Sequence, residues 1–182
     1  MPTQVYLLFD ERMALHRPIP NPENPKYYPY ENPDRIFRIY GRLLDLERRL
    51  VREIPAEDFP EVFEPRFLEF SCRKPVDRET VELVHTREHY DWLYHTAFLS
   101  EGTLRHLTDP DDLYVCPSTF LASSLACGGV VQCVDAVTST TRDNIHSQEG
   151  IHDGIVNKTI TRAIALVRPP GHHAEENEAM GK

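Results

Sequence analysis

Three short apolar, β-prone runs lie far apart in the chain, Val5 to Phe9, Phe67 to Phe70 and Ala163 to Val167, and helical patterns fill much of the sequence between them. Strands alternating with helices build an α/β fold around a mostly parallel sheet with flanking helices. Asn32-Pro33 opens the first helix, Asn as cap and Pro at the first helical position. Ile36, Ile39, Leu43, Leu46 and Leu50 supply its apolar stripe. Arg35, Arg38, Arg42, Arg48 and Arg49 fall mostly on the other face and read as solvated. Asp77 caps a short helix through Val84, and Thr86 caps another running through Trp92 and Phe98. From Ser118 to about Val137 a helix carries Ala122, Ser123, Ser124, Ala126, Cys127, Gly128 and Gly129. Two glycines weaken a helix by about 1 kcal/mol each, so this run of small residues implies that another backbone packs close against it.

The connections are as informative. Between His16 and Pro33 prolines and asparagines recur too often for a helix or an interior strand, and a long loop of that kind forms a site or stays disordered. Residues 138–161 are polar and read as an exposed loop or insertion within a single domain spanning 1–182. Among 182 residues, 40% are hydrophobic and the net charge is −9, which excludes disordered and collagen-like chains and disfavours direct binding to nucleic acid. The sequence also suggests no apolar run approaching the roughly 20 residues needed to span a bilayer. The chain is therefore read as soluble and intracellular, in cytoplasm, nucleus or both, with no membrane partner. Cys72, Cys116, Cys127 and Cys133 form no Cys-x-x-Cys pair and read as small buried hydrophobes.

Chemistry concentrates past the last strand. Arg168-Pro169-Pro170-Gly171-His172-His173-Ala174-Glu175 follows Val167 directly, and ligands of parallel sheets collect beyond the carboxyl ends of strands. Two prolines stiffen the turn and a glycine permits its curvature, so two imidazoles are presented from a rigid support. An imidazole titrates near neutrality; one of the pair can move protons while the other serves as its electrostatic partner. His85-Thr86-Arg87-Glu88-His89 matches an inverted zinc-peptidase pattern, but Thr86 as a cap puts His85 in the preceding turn, off the face of His89, and the reading is structural. His16, His95, His106, His146 and His152 read as surface or packing residues.

The segment from Arg168 to Glu175, with Ala179-Met180-Gly181 behind it, resembles the tandem-histidine signature of zinc-dependent histone deacetylases. Asp112 to Phe120 and the helix from Ala126 to Val137 resemble the class II branch, particularly its tubulin-deacetylase-like members. Leu7 to Met13, Asn32 to Ile36 and Val84-His85-Thr86 fit the opening of that catalytic domain. The resemblance implies the arginase/deacetylase α/β fold and hydrolysis of ε-acetyl-lysine amides on an acetylated protein such as histone or tubulin. It implies Zn²⁺ as the cofactor of the family domain, polarising the acetyl carbonyl and acidifying its bound water. Carried over by position, His173 is the general base and acid, His172 its electrostatic partner, and Thr108 or Asp109 lies at the substrate tunnel rim.

The family continues from Met-Gly into Phe-Cys and later into an Asp-x-His pair and a further Asp that hold zinc, whereas Lys182 follows Gly181 here. Pro29-Tyr30 stands where a His-Pro pair precedes the glutamate, and residues 138–161 lengthen the usual connection. The expectation is thus a truncated, amino-terminal portion of the domain that binds no zinc and is inactive alone, with exposed sheet edges at Val5 to Phe9 and Ala163 to Val167 that invite self-association. The alternative is a non-catalytic short isoform acting as an interaction module.

Overall fold

In the computed structural model of the chain, residues 4–20, 22, 31–55, 66–108, 114–138, 160–171, 173–174, 176 and 179–180 are described, with the backbone alone at 173–174 and 179–180. Strand β1 (Val5–Phe9) pairs in parallel on both sides, placing Val5 opposite Phe67 of β2 (Phe67–Phe70) and opposite Arg162 of β3 (Arg162–Leu166). The order β2-β1-β3 is the parallel sheet that the alternating pattern predicts, with the third strand shifted one residue from its expected bounds. One expectation is corrected: β1 is the middle strand, and among the described residues the edges belong to β2 and β3.

Strand alternation decides what each layer covers. Tyr6 and Leu8 face α5 (Thr119–Thr138): Gln132 Nε2 donates to the Tyr6 hydroxyl at 2.5 Å, and a Cβ added to Gly129 would lie 2.6 Å from a Leu8 methyl. Gly128 has the close backbone neighbour that its small-residue run predicts, since a Cβ there would sit 2.8 Å from Val76 N. Val76 N itself donates to the Ser124 carbonyl at 2.9 Å, sealing the loop to the helix. Helix α5 is long and apolar enough to cross a membrane by length and composition, contrary to the sequence reading. Here its small-residue face packs on the sheet, with Ala122, Leu125 and Gly129 buried.

On the other side lies α1 (Asp34–Arg52), whose Asp34 N is accepted by the Asn32 side chain at 3.1 Å just before the first turn. Its buried face differs from the expected stripe. Phe9 stacks on Tyr40 with ring centroids 4.2 Å apart and meets Phe37 edge-on at 5.6 Å. Glu47 accepts the Phe67 amide at 3.3 Å. These anchors turn the helix roughly a quarter of a revolution from the aliphatic stripe, so Ile36 is buried while Ile39 and Leu46 remain 46% and 47% exposed.

Caps punctuate the segment between the sheet strands. Asp77 accepts the Thr80 amide at the start of α2 (Arg78–Val81), and Thr86 accepts the His89 amide at the start of α3 (Arg87–His95). A 3-10 turn, Thr96–Phe98, ends the predicted helix in tighter form, and Ser100 caps the unanticipated α4 (Glu101–His106). Cys72, Cys116 and Cys133 are buried as expected; Cys127 is exposed, because its position on α5 faces away from the sheet. The expected insertion falls almost wholly on residues 139–159, outside the described residues.

Candidate functional site

The carboxyl ends of the three strands carry two ionic locks. At the end of β1, Asp10 receives Arg12 Nε at 2.9 Å, Arg12 Nη2 at 2.6 Å and the Cys72 amide at 3.1 Å, and Arg12 Nη2 also donates to the Cys72 carbonyl at 2.8 Å. Burial acts to raise the Asp10 carboxyl, yet these donors prevail and hold it below its ordinary value. This is the polar strand end expected after Phe9, and it ties β1 to the chain leaving β2.

The second lock lies two residues past β3. Arg168 is only 1% exposed, and a buried guanidinium requires partners for its donors. Nε and Nη2 each reach a different oxygen of Glu31 at 2.8 Å, a bidentate pair. Nη2 also donates to the Tyr114 hydroxyl, and Nη1 donates to the His16 carbonyl and, at 3.4 Å, to that of Met13. The Tyr114 hydroxyl in turn donates to Glu31 at 3.1 Å. Burial raises the Tyr114 phenol, so it keeps its proton. His16 stacks on Tyr114 with centroids 4.5 Å apart, and its Nδ1 lies 3.0 Å from the Thr119 hydroxyl. Burial, with the nearby Arg168 charge, lowers His16 to about 3, leaving a neutral imidazole in this cluster. Three segments distant in sequence thus converge on one guanidinium, at the point where β3 hands over to the turn.

The Arg168-Pro169 peptide is cis, and beyond Gly171 the backbone forms a short antiparallel pair, β4 (His173–Ala174) with β5 (Ala179–Met180), His173 opposite Met180. Between these strands the Glu176 carbonyl accepts the Thr86 amide at 2.8 Å, so the residue that caps α3 through its side chain also holds the histidine segment through its backbone.

Among the expected site residues, His173 opens β4, while His172 and Asp109 lie outside the described residues. Thr108 donates through its hydroxyl to the Leu104 carbonyl at 3.0 Å and accepts the Val115 amide at 3.4 Å, which joins the end of α4 to the segment before α5. His85 does precede the Thr86 cap, but its ring stacks on that of His89 with centroids 4.7 Å apart, correcting the expectation that the two lie apart. The roles of Glu31, Tyr114 and His16 as partners of Arg168 were not apparent from sequence; no local spacing links residues 16, 31, 114 and 168.

Residues 30–181 match the histone deacetylase domain family. The chain belongs to that family. Among its relatives, histone deacetylase HDA1 of Candida albicans is 28% identical over 182 residues, and histone deacetylase HDA1 of Saccharomyces cerevisiae is 29% identical over 186. Each alignment takes in 99% of this chain but only 19% and 23% of the relative, so the chain spans about a fifth of their length. Human polyamine deacetylase HDAC10 is 34% identical over 119 residues, covering 65% of this chain and 15% of its own. The crystal structure of the HDA15 HD domain superposes with a TM-score of 0.64 at 26% identity, over 98% of this chain and 39% of that one. The fold of the deacetylase domain is therefore the arginase/deacetylase fold inferred from the motifs, and its relatives are of class II, HDA1-like type.

The family is zinc-dependent. Among the described residues of this deacetylase domain, no group of three or more His, Cys, Asp or Glu side chains is placed to hold a metal ion. The nearest donors at the β3 end do not fit zinc either: both Glu31 oxygens are engaged by Arg168, whose positive charge opposes a cation there.

Proposed function

We propose that this chain is the amino-terminal part of a lysine deacetylase domain that hydrolyses ε-acetyl-lysine amides on an acetylated protein such as a histone or tubulin, in nucleus, cytoplasm or both. The observation that carries the reading is the match of residues 30–181 to the deacetylase domain, supported by the bracing of Arg168 by Glu31 two residues past β3, just ahead of the His172-His173 motif in the sequence. In this reading His173 takes a proton from the attacking water and returns it to the departing lysine nitrogen, and His172 supports the charge that His173 gains. Thr108 or Asp109 contacts the substrate backbone at the tunnel rim. The described residues do not fit a zinc site, so we assign no step through the metal. We infer that its ligands belong to parts of the domain beyond the 39% of the solved HDA15 HD domain that this chain covers.

A chimera tests the assignment: this chain replaces the matching portion of the HDA15 HD domain, and hydrolysis of an acetyl-lysine peptide is followed. The expected result is turnover whose kcat/KM falls by about 10²–10⁴ in His173→Ala. An active chimera indifferent to His173→Ala overturns the residue role. For the chain alone, the expected outcome is neither stoichiometric zinc nor turnover; tight zinc with activity that vanishes in His173→Ala overturns the reading of an incomplete front portion.

A further inference from the structure

The outward face of α1 is unusual for a helix lying on a sheet. Ile39 and Leu46 are exposed and Leu43 is half-buried, forming an apolar strip along a shallow surface groove. Arg38, Arg42 and Arg49 border that groove and make no ion pair among the described residues. The one acid beside them, Asp45, lies 3.6 Å from Arg48. Glu47 is occupied elsewhere, accepting the Phe67 amide. The helix carries six arginines against three acids, a local positive excess in a chain of net charge −9.

We propose that this face is a docking surface for an acidic amphipathic helix of a protein partner, whose apolar residues cover Ile39, Leu43 and Leu46 and whose carboxylates pair with Arg38, Arg42 and Arg49. The geometry is that of a helix laid along an apolar strip, with anchors about one turn apart and charges on the rim. Charge complementarity selects the occupant. A second copy related by a two-fold axis would set this arginine-bordered strip against itself, which opposes like charges. An anionic membrane would meet a protein of net charge −9 through three apolar side chains, a thin anchor for an interfacial helix. An acidic amphipathic segment satisfies both the apolar strip and the bare guanidinium groups. The inference does not rest on the deacetylase reading, since no residue of the β3 end takes part.

The test titrates the full chain with a synthetic helical peptide carrying leucines on one face flanked by glutamates, and with a counterpart in which lysines replace the glutamates. Binding of the glutamate peptide is expected, weakened by added salt and reduced at least about tenfold both in Arg38→Glu/Arg42→Glu/Arg49→Glu and in Ile39→Ser/Leu46→Ser. The lysine peptide is expected to bind the triple charge-reversal variant better than the parent, a rescue that a merely unfolded variant would not show. The proposal is overturned if the glutamate peptide does not bind, or if both peptides bind the parent alike. It is equally overturned if phosphatidylcholine vesicles containing phosphatidylserine bind in its place, or if the same substitutions abolish self-association of the chain without affecting the peptide.

Discussion

The β3 end and the outer face of α1 invert the usual association of polarity with exposure. At β3 a guanidinium is almost wholly buried, with two carboxylate oxygens, a phenol and two backbone carbonyls around it. On α1 aliphatic side chains stand in solvent beside guanidinium groups without ionic partners among the described residues. Whether a side chain is buried here follows from the partners that reach it and from how its element is anchored. Arg168 is drawn in because three distant segments supply acceptors; Ile39 is left out because the aromatic rings of Phe37 and Tyr40 settle the rotation of the helix.

Breaking the buried side of this contrast has the largest expected effect. Arg168→Ala removes the cation from Glu31 and Tyr114 and leaves the carboxylate without its main partner, so urea unfolding is expected to show a loss of about 3–5 kcal/mol. Gly128→Ala forces a methyl against the backbone at Lys74 to Val76 and is expected to cost about 3 kcal/mol in the same measurement, whereas alanine at exposed Gly41 of α1, with nothing within 4 Å, meets no such barrier.

Acid sharpens the comparison next. His16 is neutral in the fold, with its titration lowered to about 3, but is protonated near 6.5 once unfolded. Stability is therefore fully present above pH 6.5 and drains toward the unfolded state as pH falls from there toward 3, by about 2 kcal/mol at pH 5. Asp10 is displaced downward as a carboxylate, so its contribution is present above the ordinary value of 3.8 and disappears only below it. Urea unfolding at pH 7.5 and pH 5 is expected to show this loss in the parent and a smaller one in His16→Gln, whose side chain does not titrate. The smallest expected effect lies on the exposed side: Ile39→Ser/Leu46→Ser is expected to change stability by no more than about 0.5 kcal/mol, since neither side chain reaches the core. A loss of several kcal/mol there would mean that the strip is part of the core after all.

Local signals in the sequence were followed closely by the backbone. β1 and β2 fall on the expected residues because short apolar runs bounded by polar ends have few alternatives, and Asp77 and Thr86 cap as expected because capping needs only a side-chain oxygen and an amide two or three residues on. The small-residue run of α5 announced a close backbone neighbour without saying which, and the loop at 74–76 supplies it. What was hidden is long-range. The rotation of α1 depends on Phe9, and the partners of Arg168 come from residues 13, 16, 31 and 114, so no window of sequence contains either arrangement. Of the site itself, the motif was legible and the bracing beneath it was not.

The central place of β1 in the sheet has a consequence for how the molecule is made. Of the three sheet strands the one made first is bordered by Phe67 to Phe70 on one side and by Arg162 to Leu166 on the other, so its second row of hydrogen bonds waits until synthesis has passed Leu166. Closing so large a loop is entropically costly and slow. During that interval Leu7 and Leu8, destined for complete burial, are without one of their walls, an apolar surface exposed until the last strand arrives.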